Sequence, residues 1–156
     1  YALNEVNEDN KSVVILLETM AGKGTEIGTD FNQLKKIIDG VKDKSKIGVC
    51  LDTCHLNDAG YDISNFDEVL DEFDKNIGLS YIHCVHINDS KNPKGSHKDR
   101  HENIGYGTLG FDNILKVVYN SRLDKSKLAR AGFTLLPSWR DALTRYLKEA
   151  ACNGTD

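Results

Sequence analysis

Three apolar runs of this chain each end in a side chain that can bind a metal ion. The runs are VVILLE, IGVCLD and YIHCVH, and their last residues, Glu18, Asp52 and His86, stand 34 positions apart. A parallel β/α fold brings the carboxyl ends of successive strands to one rim. We therefore expect the three side chains to lie close together, and the repeat predicts a metal site at that rim.

Alternation within the runs predicts which face each strand residue occupies. Strand side chains point to opposite faces with period two, so each metal-binding residue shares its face with every second residue before it. His83 falls on the other face, where we predict a packed, hydrogen-bonded histidine and no ligand role. The remaining residues of that face are apolar and suited to packing beneath helices: Val13, Ile15, Leu17, Val49, Leu51, Val85 and Ile87.

Amphipathic stretches between the runs predict helices. The first follows Thr29, a candidate N-cap. The second follows Ser64, where a capping-box-like sequence begins, and this helix is expected to stop at Gly78. A third covers residues 111–118. Alternating strands and helices indicate parallel βαβ units. A tetratricopeptide array has the same repeat length, but the β-branched runs and the missing signature disfavour it.

Composition and cysteine usage limit the class of protein. The chain is 39% hydrophobic and has no apolar run long enough to cross a membrane. Its net charge of −4 argues only weakly against nucleic acid, because bound cations would add positive charge at the site. The cysteines Cys50, Cys54, Cys84 and Cys152 form no CxxC pair. They predict reduced thiols in an intracellular protein, cytoplasmic in a prokaryote and nuclear or organellar in a eukaryote.

The segment after the third run is the densest polar part of the chain. Asp99 and His101 are two residues apart, so they are expected to face one side of an extended loop and to hold one cation. Asp52 and His55 can both be aimed inward by a turn directly after the second strand. Basic residues of the same segment are either ordinary solvated side chains or contacts for a DNA phosphate, namely Lys91, Lys98 and Arg100.

Three segments match a known family. LLETMAGKGTEIG, GVCLDTCHLNDAGYDI and VHINDSKNPKGSHKDRHENIGYGTLG closely resemble, in order and spacing, signatures of the endonuclease IV family of apurinic/apyrimidinic (AP) endonucleases. The resemblance covers about residues 10–120. It implies an α/β fold, a partial TIM-type barrel of three to four parallel β/α units in the xylose-isomerase-like superfamily. Residues 1–120 are then the C-terminal-half portion of such a barrel, and residues 121–156 are a divergent C-terminal segment, expected to be helical.

The resemblance also implies an activity and a set of ligands. Members of the family use three zinc ions to cut double-stranded DNA on the 5′ side of an abasic site, which leaves a 3′-hydroxyl during base excision repair. By position, Glu18 resembles the catalytic carboxylate that bridges two ions. Asp52 and His86 resemble further ligands of the second ion. The protein ligands of the third ion correspond to His55, Asp99 and His101.

Parts of the family pattern are absent from the chain. Two histidines expected before Glu18 and one later glutamate have no counterpart, and 156 residues are fewer than the ~250 typical of eight β/α units. The strand candidate at residues 132–137 ends without a carboxylate, and residues 139–151 are predicted to be a helix. We prefer to interpret the chain as an excerpt of a longer enzyme. The alternatives are pairing with a chain that supplies the missing half-barrel, and a degenerate relative.

Three other functions remain open at this point. A sugar isomerase or epimerase on a related barrel also gathers Glu, Asp and His around divalent metals, although the DRH and LDTCH segments disfavour it. A non-catalytic remnant would bind metal without cutting DNA. Polar strand ends that merely solvate a barrel rim are the simplest alternative.

Overall fold

The structure is a computed structural model that describes residues 3–4 and 13–120. Its elements in chain order are β1 (Ile15–Glu18), α1 (Phe31–Gly40), β2 (Ile47–Asp52), α2 (Thr53–Ala59), α3 (Phe66–Asn76), β3 (Ile82–His86), β4 (Asp89–Ser90), β5 (His101–Glu102) and α4 (Gly110–Asn120). In this part of the chain, no helix combines the length and apolar character that spanning a bilayer requires. The strand and helix predicted beyond residue 130 lie outside the described residues, and the domain division at residue 120 stays a prediction.

The three predicted strands form one parallel sheet in the order β1-β2-β3. Glu18 is in register with Cys50, and Asp52 is in register with His86. All three strands therefore end at the same edge, as the 34-residue spacing predicted. The α/β class is confirmed, and the sheet with its crossing helices is part of a barrel wall.

A single apolar core lies between this sheet and the helices α1, α3 and α4. The strand face predicted to be covered supplies Val49 and Leu51, both 0% exposed. Phe31 links the helices, because its ring stacks on Tyr61 at 4.5 Å and meets Phe73 edge-on at 5.1 Å between centroids. The other buried apolar residues of the core are Leu34, Ile38, Val41, Ile47, Leu56, Ile63, Phe66, Val69, Ile77, Leu109, Ile114 and Val117.

The prediction that His83 packs on the helix-covered face is wrong. The pairing of β2 with β3 shifts register between Val49 and Cys50, so strict alternation fails at the start of β3. His83 is exposed and lies over Gly48, where an added Cβ would come within 2.6 Å of its Nδ1. Leu16 borders the same spot, which places His83 on the face opposite the helices. An irregularity of this kind is set by the partner strand and leaves no period in the sequence.

Two predicted helix caps are also wrong. The N-cap of α1 is Asp30, not Thr29, and its carboxylate accepts the Gln33 backbone N–H at 3.0 Å. Ser64 does not cap α3; it lies in a 3₁₀ turn and donates its hydroxyl to Asp62 at 2.5 Å. Both errors arise because Asp, Ser and Thr compete for the same capping role, and the neighbouring residues decide which one fills it.

The helix core predicts a large stability effect at one residue. Phe73→Ala removes a ring that is 0% exposed and contacts Phe31, so the free energy of unfolding should fall by about 3–5 kcal/mol. Urea denaturation of the full chain measures this change. Glu68→Ala on the exposed side of the same helix is the matched control and should change the free energy by less than about 0.5 kcal/mol. Equal losses in both variants would contradict the assigned core.

Candidate metal centre

Local structure explains why His55 faces the sheet edge. The carboxylate of Asp52, the last residue of β2, accepts the backbone N–H groups of Cys54 at 2.8 Å and His55 at 3.1 Å. Asp52 is thus the N-cap of α2, which starts without any intervening loop. The sequence predicted only a turn here. The short helix instead fixes His55 in its first turn, directly above the strand end.

Three donor atoms from two segments converge beside this helix. His55 Nε2 lies 3.0 Å from Asp99 Oδ1, His101 Nε2 lies 3.3 Å from the same oxygen, and the two Nε2 atoms are 3.3 Å apart. We call these three residues the loop site. Ligands of a tetrahedral zinc ion at about 2.0–2.1 Å stand about 3.3 Å from one another. The donor separations therefore match three corners of such a tetrahedron.

The tautomer of His55 suits a metal ligand. Its Nδ1 lies 2.7 Å from the carbonyl oxygen of Thr19, which can only accept a hydrogen bond. The proton of the neutral ring consequently sits on Nδ1, and the lone pair of Nε2 points toward Asp99 and His101. Metal-binding histidines are commonly held in this way by a backbone carbonyl. Two facing imidazole nitrogens and a carboxylate oxygen then share a space that a cation fits.

The strand ends form a second group. His86 Nδ1 lies 3.2 Å from Glu18 Oε1 and 3.7 Å from Asp52 Oδ2, and one donor atom from each of these residues lies within 4.8 Å of the others. We call these three residues the strand site. Glu18 Oε1 is also 3.5 Å from Nδ1 of His55. That His55 nitrogen is not the one that faces Asp99 and His101, so Glu18 belongs to the strand site.

The charge of the centre favours a bound cation. Three carboxylates converge there, and among the described residues no lysine or arginine forms an ion pair with Glu18, Asp52 or Asp99. Burial lowers the pKa of His55, but the Asp52 carboxylate, the Thr19 carbonyl and the other carboxylates outweigh it, so the pKa lies above its usual value. The negative charges that favour a proton on the His55 imidazole also favour a metal ion beside it.

Cysteines border the centre without being its best donors. Cys50 and Cys84 lie near His86, and Cys54 lies near Asp99 and His101. Burial raises the pKa of the Cys50 and Cys54 thiols to about 12, so both are protonated near neutral pH. A thiolate is the form that binds metal. The carboxylates and imidazoles are therefore the donors available without further deprotonation.

The remaining candidates lie on the surface of the same polar segment. Lys91, Lys98 and Arg100 are exposed, and Lys91 Nζ lies 3.8 Å from a carboxylate oxygen of Glu102. His97 is exposed as well, with its Nδ1 2.9 Å from the Ala21 carbonyl oxygen. None of the four contributes a donor atom to the loop site or the strand site.

Sequence reasoning missed residues that hold the donors in place. Asn88 donates its side-chain N–H to Asp52 Oδ2 at 2.5 Å, and Thr19 accepts the Asp52 backbone N–H on its hydroxyl at 2.9 Å. Both stand one or two residues beyond a predicted ligand. That proximity is a usable signal, since ligand-bearing strand ends need polar neighbours to orient their side chains.

Comparison with known proteins places the chain in a family. Residues 2–130 match the family described as "Xylose isomerase-like TIM barrel". The crystal structure of endonuclease IV from Thermus thermophilus superposes with a TM-score of 0.65 at 30% sequence identity, covering 91% of this chain and 51% of that one. This superposition agrees with a partial barrel.

Curated relatives carry the same resemblance at higher identity. "Probable endonuclease 4" of Ureaplasma parvum is 58% identical over 117 residues, which cover 74% of this chain and 39% of the relative. "Probable endonuclease 4" of Malacoplasma penetrans is 54% identical over 144 residues, which cover 92% of this chain and 48% of the relative. The chain thus spans less than half the length of these relatives. The predicted resemblance to endonuclease IV is confirmed, and the chain belongs to the xylose isomerase-like TIM barrel family.

Proposed function

We propose that this chain carries two of the cation sites of a zinc-dependent AP endonuclease of base excision repair. The substrate is double-stranded DNA with an abasic site, and the enzyme hydrolyses the phosphodiester on its 5′ side to leave a 3′-hydroxyl. One observation carries the proposal: three donor atoms of the loop site stand 3.0–3.3 Å apart, and Nδ1 of His55 faces the Thr19 carbonyl oxygen at 2.7 Å. Relatives named endonuclease 4 support the reaction class.

The donor set supports zinc as the ion. Two imidazole nitrogens and one carboxylate oxygen at the loop site are the mixed ligands that zinc takes in catalytic centres, with one position left for water or substrate. The strand site offers two carboxylates and one imidazole from Glu18, Asp52 and His86. In the full centre Glu18 would bridge this site to a neighbouring one whose other ligands come from outside the chain.

The residues have separable tasks in this reaction. Bound zinc ions supply Lewis-acid stabilisation of the phosphate and a nucleophile near neutral pH. Thr19 and Asn88 hold the His55 ring and the Asp52 carboxylate in the orientations that binding requires. His101 and Asp99 are 45% and 33% exposed, so the loop site is open to a phosphodiester. Lys91, Lys98 and Arg100 would contact neighbouring phosphates and add the electrostatic part of the affinity.

Metal analysis and a DNA-nicking assay on the full chain test the proposal directly. Metal analysis after dialysis should find about one tightly held zinc per chain, because the loop site has all its protein ligands. A 5′-labelled duplex with one abasic site should then be nicked slowly on the 5′ side, in a reaction that chelator stops and zinc restores. The undamaged duplex is the control substrate and should remain intact.

Other outcomes would identify a different function. Zinc binding without any nicking indicates a non-catalytic metal-binding protein. Ketose–aldose exchange without nicking indicates a sugar isomerase or epimerase on the same barrel type. Nicking that is independent of metal, or equal on undamaged DNA, would reject the proposal.

A further inference from the structure

We propose that Asp58 is a positioning residue for the loop site, holding Asp99 in the conformation that completes the set with His55 and His101. The inference rests on the proposed function, because it assumes that the loop site binds a cation. Asp58 itself contributes no donor atom to that site. Its role would be to fix the ligand geometry before the ion arrives.

The first observation is the hydrogen bonding of a buried carboxylate. Asp58 is 0% exposed, and no ion pair reaches it among the residues that the structure describes. Its Oδ1 accepts the Ser90 hydroxyl at 2.7 Å and the Asn57 amide at 3.0 Å. Its Oδ2 accepts the Asn92 amide at 3.2 Å and the backbone N–H of Asp99 at 2.9 Å. Four donors around two oxygens suit a carboxylate, which accepts at every lone pair.

The second observation is the backbone of the ligand loop. His97 and Asp99 are the non-glycine residues of the described chain with positive φ, at 54° and 52°. Residues other than glycine rarely adopt this left-handed backbone region, and surrounding contacts hold them there. Both N–H groups are bound by Asp58: that of Asp99 by the carboxylate, and that of His97 by the backbone carbonyl at 3.0 Å. The two unusual residues therefore depend on one anchor.

The third observation connects this anchor to the other two ligands. Asp58 lies one turn after His55 on α2, so a single short helix carries a ligand and the support of its partner ligand. Ser90, which donates to the Asp58 carboxylate, pairs with His101 across β4 and β5. Asp58 is thus linked to all three loop-site residues. A metal site requires its donors to be held within about 0.5 Å of their working positions.

Asp58→Asn in the full chain tests the role, with cobalt(II) as the probe. The amide offers one acceptor oxygen and turns an NH₂ toward groups that are themselves donors, so the Asp99 N–H should lose its partner. The loop site is identified as the cobalt absorption band that His101→Ala abolishes. In Asp58→Asn we expect that band to require about 10- to 100-fold more cobalt, the usual effect of losing an outer support of a metal ligand.

A matched control separates positioning from general stability. Asp67→Asn makes the same change on the exposed start of α3 and should leave the cobalt titration unaltered. A purely structural role for Asp58 would lower the melting temperature while cobalt affinity, measured well below that temperature, stayed the same. Such a result would overturn the proposal. If instead His101→Ala retained the wild-type band, the ligand assignment behind the proposed function would itself be wrong.

Hydrogen exchange keeps the inference testable if Asp58→Asn does not fold. In the metal-free wild-type chain, the amide hydrogens of His97 and Asp99 should exchange slowly, because Asp58 binds both without help from an ion. Rapid exchange at both amides, with the core amides still protected, would show that the loop is not preorganised. That outcome would overturn the proposal without any substitution.

Discussion

Replacing His101 with alanine should release the ion of the loop site and weaken its binding more than about 100-fold. Loss of an outer support alone weakens metal binding by about 10- to 100-fold, and a direct ligand should matter more. The two remaining donors, His55 Nε2 and Asp99 Oδ1, lie 3.0 Å apart and offer an ion only two protein contacts. Zinc analysis after dialysis and a competition titration with a chromophoric chelator measure the change.

His97 provides the matched control for this substitution. It is a histidine of the same segment, but its ring contacts the Ala21 carbonyl and not the loop site. His97→Asn is the appropriate change, because asparagine tolerates the positive φ at this position. We expect zinc content and affinity close to those of the wild type. Equal losses in His101→Ala and His97→Asn would show that the segment as a whole, and not the assigned ligand, determines binding.

The second large effect is expected for Glu18→Gln. Glu18 Oε1 lies 3.2 Å from His86 Nδ1, so its charge is at the strand site, at the position proposed for a bridging carboxylate. Glutamine keeps the size and one acceptor oxygen but removes that charge. Metal ions contribute several kcal/mol to phosphoryl transfer, and about 3 kcal/mol corresponds to about 100-fold in rate. We therefore expect metal-dependent nicking to fall at least about 100-fold, with little change in melting temperature.

Glu26→Gln is the control for the loss of a glutamate charge near β1. The Glu26 carboxylate accepts the Lys23 N–H at 2.9 Å within the loop and takes part in neither site. Nicking and zinc content should remain at the wild-type level in this variant. If Glu18→Gln nicked as fast as Glu26→Gln, the bridging role would be wrong, although the loop site could still bind its ion.

Much of the fold followed from local patterns. The runs ending at Glu18, Asp52 and His86 form the predicted strands, and the amphipathic stretches form α1, α3 and α4. Helical spacing of apolar residues identified the helices, and short length with β-branched residues identified the strands. The wrong predictions occurred where contacts with neighbouring residues changed the structure that the hydrophobic periodicity predicted. His83 changed face because of an irregular pairing with β2, and the cap of α1 fell on Asp30.

The short helix α2 was not predicted at all. Its seven residues, TCHLNDA, carry no apolar stripe long enough to indicate a helix. It forms because Asp52 caps it and because Thr53 and Asn88 bond to each other across the strand ends, with the Asn88 N–H 2.8 Å from the Thr53 hydroxyl. Contacts between segments distant in sequence therefore decided where His55 points.

The sequence by itself determined which donors this protein offers: the carboxylates and imidazoles at three strand ends and in one polar segment, with the family to which they belong. Only the tertiary structure decided how those donors divide into a loop site and a strand site. It also decided which ring nitrogen of His55 faces the Thr19 carbonyl, and it brought the Asp58 carboxylate to the backbone N–H of Asp99. The physical reason is that donor chemistry belongs to each side chain, whereas separations near 3 Å arise only when the sheet register and buried hydrogen bonds bring distant segments together.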